Sequence, residues 1–178
     1  MKKNLLIILP LLLASMPVFG QRTGTNPVTT AAPVLNKAVE PFLREKFDPL
    51  RDPKADLASA VIEATNENKR IILDVGGEWC VWCVYMDKFF YQNPDLDKLR
   101  KDNYVWVKVN MSPENENPAF LAPYPVPKGY PHLYVLDESG KLLHSQDTAP
   151  LEAGKGYDLA KFTAFLKEWK PKKIEVKP

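Results

Sequence analysis

Two cysteines and two histidines are all that this chain of 178 residues offers by way of soft metal ligands. That scarcity argues against a metal cluster and excludes a disulfide-rich secreted scaffold. An excess of either charge is missing too, with 24 basic residues against 22 acidic ones. The first twenty residues hold Lys2 and Lys3 and no acid, so the rest of the chain balances. A nucleic-acid binder needs a basic excess on one face, and nothing here supplies it. The stretch Lys167-Glu168-Trp169-Lys170-Pro171-Lys172-Lys173 is locally basic and reads as a solvated helix end whose lysines complement the dipole. Internal repeats are absent. What is present is 45% hydrophobic and 26% charged, with enough aromatic content to build a core and to argue against disorder.

The N-terminus stands apart. Lys2 and Lys3 precede an apolar centre, Leu5 to Leu13, which Pro10 interrupts. This run is shorter than the roughly 20 residues a bilayer requires. Val18-Phe19-Gly20 fits a signal-peptidase site, so residues 1–20 read as a signal peptide cleaved before Gln21. Retention as an anchor is the alternative. No Cys occupies the junction, which removes the bacterial lipoprotein type of anchor. Residues 21–36, rich in Thr, Ala, Pro, Gly and Asn, read as a flexible linker. Residues 37–178 are left for the folded domain.

Within that domain Pro53 opens a helical pattern with Leu57, Ala60, Val61 and Ala64 on one face, ending at Asn66 to Lys69. Arg70 to Val75 is a short β-branched run typical of a strand buried on both sides. A helix over Val81 to Tyr91 follows, stopped by Asn93-Pro94, and a further helical turn covers Asp95 to Arg100. Tyr104 to Val109 is a second strand. The stretch from Pro113 to Pro131 is Pro-rich and irregular, with one short helix near Ala119. His132 to Leu136 is a third strand, turned by Asp137-Glu138-Ser139-Gly140 into Lys141 to His144. A last helix over Asp158 to Trp169 points Leu159, Phe162, Phe165 and Leu166 inward. The order predicts an α/β fold, a central mixed sheet with helices on both faces.

Both cysteines fall in Gly76-Gly77-Glu78-Trp79-Cys80-Val81-Trp82-Cys83, between a strand and a helix. As a staple, so small a loop constrains the unfolded chain by only about 2 kcal/mol. A zinc shell would need His132 and His144 as well, spaced wider than in zinc fingers and both in a hairpin. A redox couple accounts for the placement. A Cys at a helix start meets unpaired N–H groups and the positive end of the dipole, which favour the nucleophilic thiolate. A second Cys three residues on shares that face. Cys80 would attack and Cys83 would resolve the mixed disulfide.

Leu73-Asp74 followed by Glu78-Trp79-Cys80-Val81-Trp82-Cys83, then Val107-Lys108-Val109-Asn110 and Gly129-Tyr130-Pro131 in that order, resemble the thioredoxin family over about residues 52 to 170. The likeness is greatest to secreted members, including the C-terminal domain of the periplasmic membrane thiol reductase. It implies a thioredoxin-like fold and roles for individual residues. Asp74 would be the buried carboxylate that relays a proton to and from Cys83, and Lys108 the lysine paired with it. Pro131 would be a cis-proline opposite the disulfide. Tyr130 would offer its backbone to a substrate chain, and Trp79 would form part of the apolar rim.

Some positions depart from the family pattern. Trp82 stands where many members carry Pro or His, and the missing His weakens the case for an oxidase. Gly76-Gly77 replaces a bulkier pair and is expected to open the floor of the site. His132 follows the proline where a small polar residue is commoner; near two sulfurs it could tune their pKa or bind a metal, but it reads first as a packing or surface residue, and His144 as a surface one. The Pro-rich insert of 113–127 has room to shape a partner surface.

The expectation is a periplasmic or secreted thiol–disulfide oxidoreductase acting on protein or peptide thiols and disulfides, in the reducing direction. It needs no cofactor or metal beyond the couple itself, and its electrons would come from a membrane donor protein. With no dimerisation segment visible, a monomer is expected. The alternatives are an oxidase or isomerase on the same fold, or a binding module whose disulfide never cycles.

Overall fold

A computed structural model describes residues 44–172. The signal peptide and linker expected over 1–20 and 21–36 lie outside the described residues. Helix α1 spans Pro53–Glu67, strand β1 Arg70–Gly76, α2 Val81–Gln92, α3 Pro94–Asn103 and β2 Tyr104–Asn110. Then come α4 Pro118–Leu121, β3 His132–Leu136, β4 Leu142–Asp147, the two-residue strands β5 Glu152–Ala153 and β6 Gly156–Tyr157, and α5 Leu159–Trp169.

The ends of these elements follow from local chemistry. Asp52 caps α1 by accepting the Lys54 N–H at 2.9 Å, with Pro53 at the first helical position. Asn68 stops it in the left-handed conformation, φ 51°, which Asn tolerates better than most side chains. Asp158 caps α5 through the Lys161 N–H. Helix α3 is longer than its pattern predicts because charge rather than apolar spacing supports it. Only Leu96 is buried, while Asp97 pairs with Arg100 and Lys101, and Lys98 with Asp102.

The main sheet has the order β2-β1-β3-β4. Strands β1 and β2 run parallel, and β3 lies antiparallel to both β1 and β4. The mixed sheet is therefore as expected. Alternation divides the strand residues between two layers. Ile71, Leu73, Val75, Val105, Val107, Val109, Tyr134 and Leu136 pack toward Ala60 and Ala64 of α1 and Phe120 of α4. Ile72, Tyr104, Leu133 and Val135 pack toward Met86 and Phe90 of α2, Leu96 of α3, and Phe162, Phe165 and Leu166 of α5. A fully buried side chain such as Phe162 contributes about 1.5–3 kcal/mol by burial.

Leu159 departs from its expected inward position and is exposed. It directly follows the Asp158 cap, on the outer side of the first turn. His144 is half-buried rather than a free surface residue. Its ring stacks on Trp169 with centroids 4.3 Å apart, and its Nε2 pairs with Gln146 Oε1. Strands β5 and β6, too short to leave a period in the sequence, place Tyr157 against Trp82 and Phe89 of α2.

Candidate active site

Strand β1 delivers the chain to the site. Beyond Gly76 the backbone turns, the Cys80 N–H donating to the Gly77 carbonyl at 3.0 Å, and α2 begins. Cys80 is the N-cap residue, and its Sγ accepts the Cys83 N–H at 3.1 Å. A sulfur thus takes the place that a Ser or Asp oxygen fills in ordinary caps. The two cysteines are joined as a disulfide, with Cα atoms 5.3 Å apart. Cys83 is wholly buried and Cys80 is 4% exposed. Phe47, Trp82 and Tyr130 pack around the pair.

The glycines before the turn do not open the floor. A Cβ on Gly76 would lie 2.5 Å from Cys83 Sγ and 3.1 Å from the Phe47 ring. On Gly77 a Cβ would meet the Trp79 indole. Glycine is needed because a sulfur and an indole already fill that space. Since Gly76 and Asp74 share a strand face, Cys83 Sγ sits on the same side of β1 as the Asp74 carboxylate, beside the position two residues along the strand.

Asp74 is completely buried and pairs in register with Lys108 on β2. Its Oδ2 accepts from Lys108 Nζ at 3.0 Å and from Trp106 Nε1 at 3.1 Å. Its Oδ1 has no hydrogen-bond partner among the described residues. The expected Asp74–Lys108 pair is present, but Lys108 serves a second carboxylate as well, Asp87 Oδ1 on α2 at 2.8 Å. The ammonium also lies 4.2 Å from the centre of the Phe47 ring. Arg44 extends the chain of charges outward, donating to Asp87 Oδ2 at 3.2 Å and pairing closely with Glu78. Glu78 in turn accepts the Phe47 N–H at 2.9 Å, which fastens the segment before α1 over the disulfide.

Fully charged, these five groups carry three negative charges and two positive ones. Burial pushes the Asp87 carboxyl up, and Asp74 adds to that, while Lys108 and Arg44 pull the other way. Burial by itself would lower Lys108; the two carboxylates outweigh it and hold the ammonium protonated above its ordinary range. Burial would raise Glu78, but Arg44 and the Phe47 N–H bring it below the usual carboxylate range.

The Tyr130–Pro131 peptide bond is cis, as the resemblance implies. Tyr130 meets Trp79 edge to face, with ring centroids 5.6 Å apart. Trp79 is 57% exposed and donates its indole N–H to the Met111 carbonyl at 2.7 Å. Beside this pair lies a groove of about 740 Å³, walled partly by Met111, Ser112 and Pro113 at the start of the Pro-rich insert. His132 is buried in packing, as one of its readings had it. Its Nε2 meets Ser145 Oγ at 2.8 Å and its ring lies against Tyr134. Burial holds the imidazole below its ordinary pKa; Asp147 opposes the shift and His144 adds to it.

Phe47, Arg44, Asp87 and Trp106 are site residues that the sequence reading missed. Asp87 is four residues beyond Cys83 and therefore on the same helical face. Trp106 is two residues before Lys108 and on the same strand face. Those spacings could have found them. Arg44 and Phe47 belong to a segment without a periodic pattern and left no such signal. Among the described residues no group of three or more His, Cys, Asp or Glu is placed to hold a metal ion.

Residues 52–138 match the family model described as thioredoxin-like. The fold is thioredoxin-like. Spermatogenesis-associated protein 20 of Mus musculus is 30% identical over 102 residues, which is 54% of this chain and 13% of that protein. Thiol:disulfide interchange protein DsbD of Colwellia psychrerythraea is 26% identical over 96 residues, covering 53% of this chain and 16% of that one. The chain thus spans less than a fifth of the length of these curated relatives. Among solved structures, a disulphide isomerase from Xylella fastidiosa Temecula1 aligns with a TM-score of 0.58 at 20% identity. That alignment covers 71% of this chain and 97% of the other, and it supports the thioredoxin-like fold. In this thioredoxin-like domain the Cys80–Cys83 disulfide, the buried Asp74–Lys108 pair and the cis Tyr130–Pro131 bond converge from β1, α2, β2 and the approach to β3.

Proposed function

We propose that the protein is a thiol–disulfide oxidoreductase of the periplasm or secreted space, acting as a reductase on protein or peptide disulfides. The observation that carries this is Cys80 Sγ at the N-cap of α2, already accepting the Cys83 N–H. A thiolate formed there keeps that charge-assisted bond and faces the positive end of the helix. The Colwellia relative, whose name describes thiol:disulfide interchange, supports the same chemistry.

The cycle starts from the reduced pair. Cys80 Sγ attacks one sulfur of a substrate disulfide, and the other substrate sulfur leaves as a thiolate. Cys83 then loses its proton and attacks Cys80 Sγ, which closes the Cys80–Cys83 disulfide and releases the second substrate sulfur. Two electrons have passed to the substrate, whose sulfurs both end as thiols. Asp74 is the proposed acceptor of the Cys83 proton, through the oxygen that Lys108 and Trp106 leave free. Lys108 and Trp106 hold that carboxylate in place, and Asp87 anchors Lys108 from the helix. Repeating the cycle requires a donor that reduces Cys80–Cys83, and a membrane protein is the proposed source. The uncharged Val81-Trp82 pair between the cysteines supports the reducing direction, because no His lies there to hold the Cys80 thiolate.

A Cys83→Ser variant tests the assignment. It should accumulate mixed disulfides through Cys80, visible as reducible adducts by mass. Capture through Cys83 in a Cys80→Ser variant instead would reverse the two roles. Titration against a dithiol buffer, with thiol alkylation as readout, tests the direction. A potential near the thioredoxin value, about −270 mV, supports a reductase, and one near −120 mV overturns it.

A further inference from the structure

The groove beside the disulfide has a built wall and a sign of charge. Its apolar lining comes from Phe47, Trp79, Met111, Pro113 and Tyr130, and its rim carries the exposed Glu114 and Glu116. Among the described residues that line it there is no lysine or arginine. Glu78 also borders it, but Arg44 already neutralises that carboxylate.

The wall is held from three sides. The Met111 N–H donates to the Gly76 carbonyl at 2.6 Å, and the Met111 carbonyl accepts the Trp79 indole. Asn110 Nδ2 donates to Ser112 Oγ and to the Asn115 carbonyl. Asn115 Nδ2 reaches the Pro49 carbonyl at 2.9 Å, and Asn117 Nδ2 returns to the Asn110 carbonyl at 2.8 Å. The segment that carries Glu114 and Glu116 is thus fixed before any substrate arrives, which lowers the entropy cost of binding. The Ser112 hydroxyl holds the Glu114 carboxyl below its ordinary range, so it stays ionised.

From this arrangement we infer that the groove takes the stretch of a substrate polypeptide beside its reactive cysteine and selects a large apolar side chain next to a lysine or arginine. The inference rests on the thiol–disulfide exchange reading and adds a substrate class to it. Tyr130 belongs both to the groove and to the cis Tyr130–Pro131 bond. Among the described residues its backbone N–H and carbonyl make no hydrogen bond, so they remain free for strand-like pairing with the bound chain. The apolar side chain then lies between Phe47, Met111 and Pro113, and the cation reaches the two rim carboxylates. The volume, about 740 Å³, is room for a few side chains rather than for a folded surface.

The test uses the reduced full chain and three short peptides, each with one cysteine held as a mixed disulfide to the same chromogenic thiol. The cysteine is flanked by Leu-Arg, Leu-Glu or Gly-Ser, and release of the chromophore gives the rate constant. Hydroxyethyl disulfide, small and neutral, is run alongside. The Leu-Arg peptide should react about 5-fold to 10-fold faster than the Leu-Glu peptide, consistent with one cation meeting two exposed carboxylates. The Gly-Ser peptide should be slower than Leu-Arg, and added salt should narrow the charge ratio. In a Glu114→Gln/Glu116→Gln double variant the ratio should fall toward one. Because it is internal to each protein, partial loss of folded material cancels. Equal rates for the three peptides, or a ratio that survives the double variant, overturn the inference while leaving exchange intact. If even hydroxyethyl disulfide is not reduced, the exchange reading falls and this inference with it.

Discussion

Lys108 is the residue on which the buried charge depends, since among the described residues it alone donates to both Asp74 and Asp87. Removing one partner of a buried ionic group leaves the other uncompensated, at a cost of about 3–5 kcal/mol. Lys108→Met should therefore lose about that much stability at neutral pH, read by urea unfolding. The sign of its pH dependence is fixed by the Asp87 carboxyl, which burial already pushes up against the pull of Lys108. Without the ammonium that opposing charge is gone, so Asp87 is held further above its unfolded pKa and the folded variant gains relative to the unfolded one as acid protonates it. The deficit against wild type should shrink as pH falls from 7 toward 4. A deficit independent of pH would mean that the lysine matters for packing alone. At this scale the sequence was legible for the placement of Cys80, Cys83, Asp74 and Pro131, each marked by its residue type. Asp87 was marked only by its spacing of four from Cys83, and Arg44 not at all, because nothing in a surface-looking base says that it completes a buried pair from another element.

Elements were legible wherever apolar spacing set them, and least so where capping or ion pairing did. Strand β3 falls at its expected residues, His132–Leu136, because a continuous apolar run buried on both faces has few alternatives. Helix α3 was underestimated because its stabilising contacts are between charges, and β5 and β6 were missed because two residues show no period. The joint between α1 and β1 can be tested directly. Asn68 sits at φ 51°, a conformation that costs an ordinary side chain roughly 1–2 kcal/mol. Asn68→Gly should stay within about 0.5 kcal/mol of wild type or gain slightly, while Asn68→Val should lose about 1–2 kcal/mol. Thermal or urea unfolding reads both. Equal losses for the two variants would show that the Asn68 side chain, rather than its backbone conformation, holds the joint.

For the whole molecule, redox state and folding stability are linked by a thermodynamic cycle. If the couple is reducing, the native fold favours the disulfide, and the oxidised protein should unfold at a higher urea concentration than the reduced one. A strong oxidant shows the reverse, since its reduced form is the stabilised one. Comparing urea midpoints with and without excess dithiol decides between them, and a more stable reduced form would count against the reductase reading. Direction and partners were the part least legible in the sequence, because a potential sums many small contributions from burial and charge. One consequence of the packing concerns observation rather than mechanism. Three of the four tryptophans each belong to a different working part: Trp79 is bonded to the groove wall, Trp82 packs against the disulfide, and Trp106 donates to Asp74. The fourth, Trp169, stacks on His144 at the far end of α5. Variants that each keep a single indole would let fluorescence report separately on substrate docking, on the sulfur couple and on the buried carboxylate, with no added label.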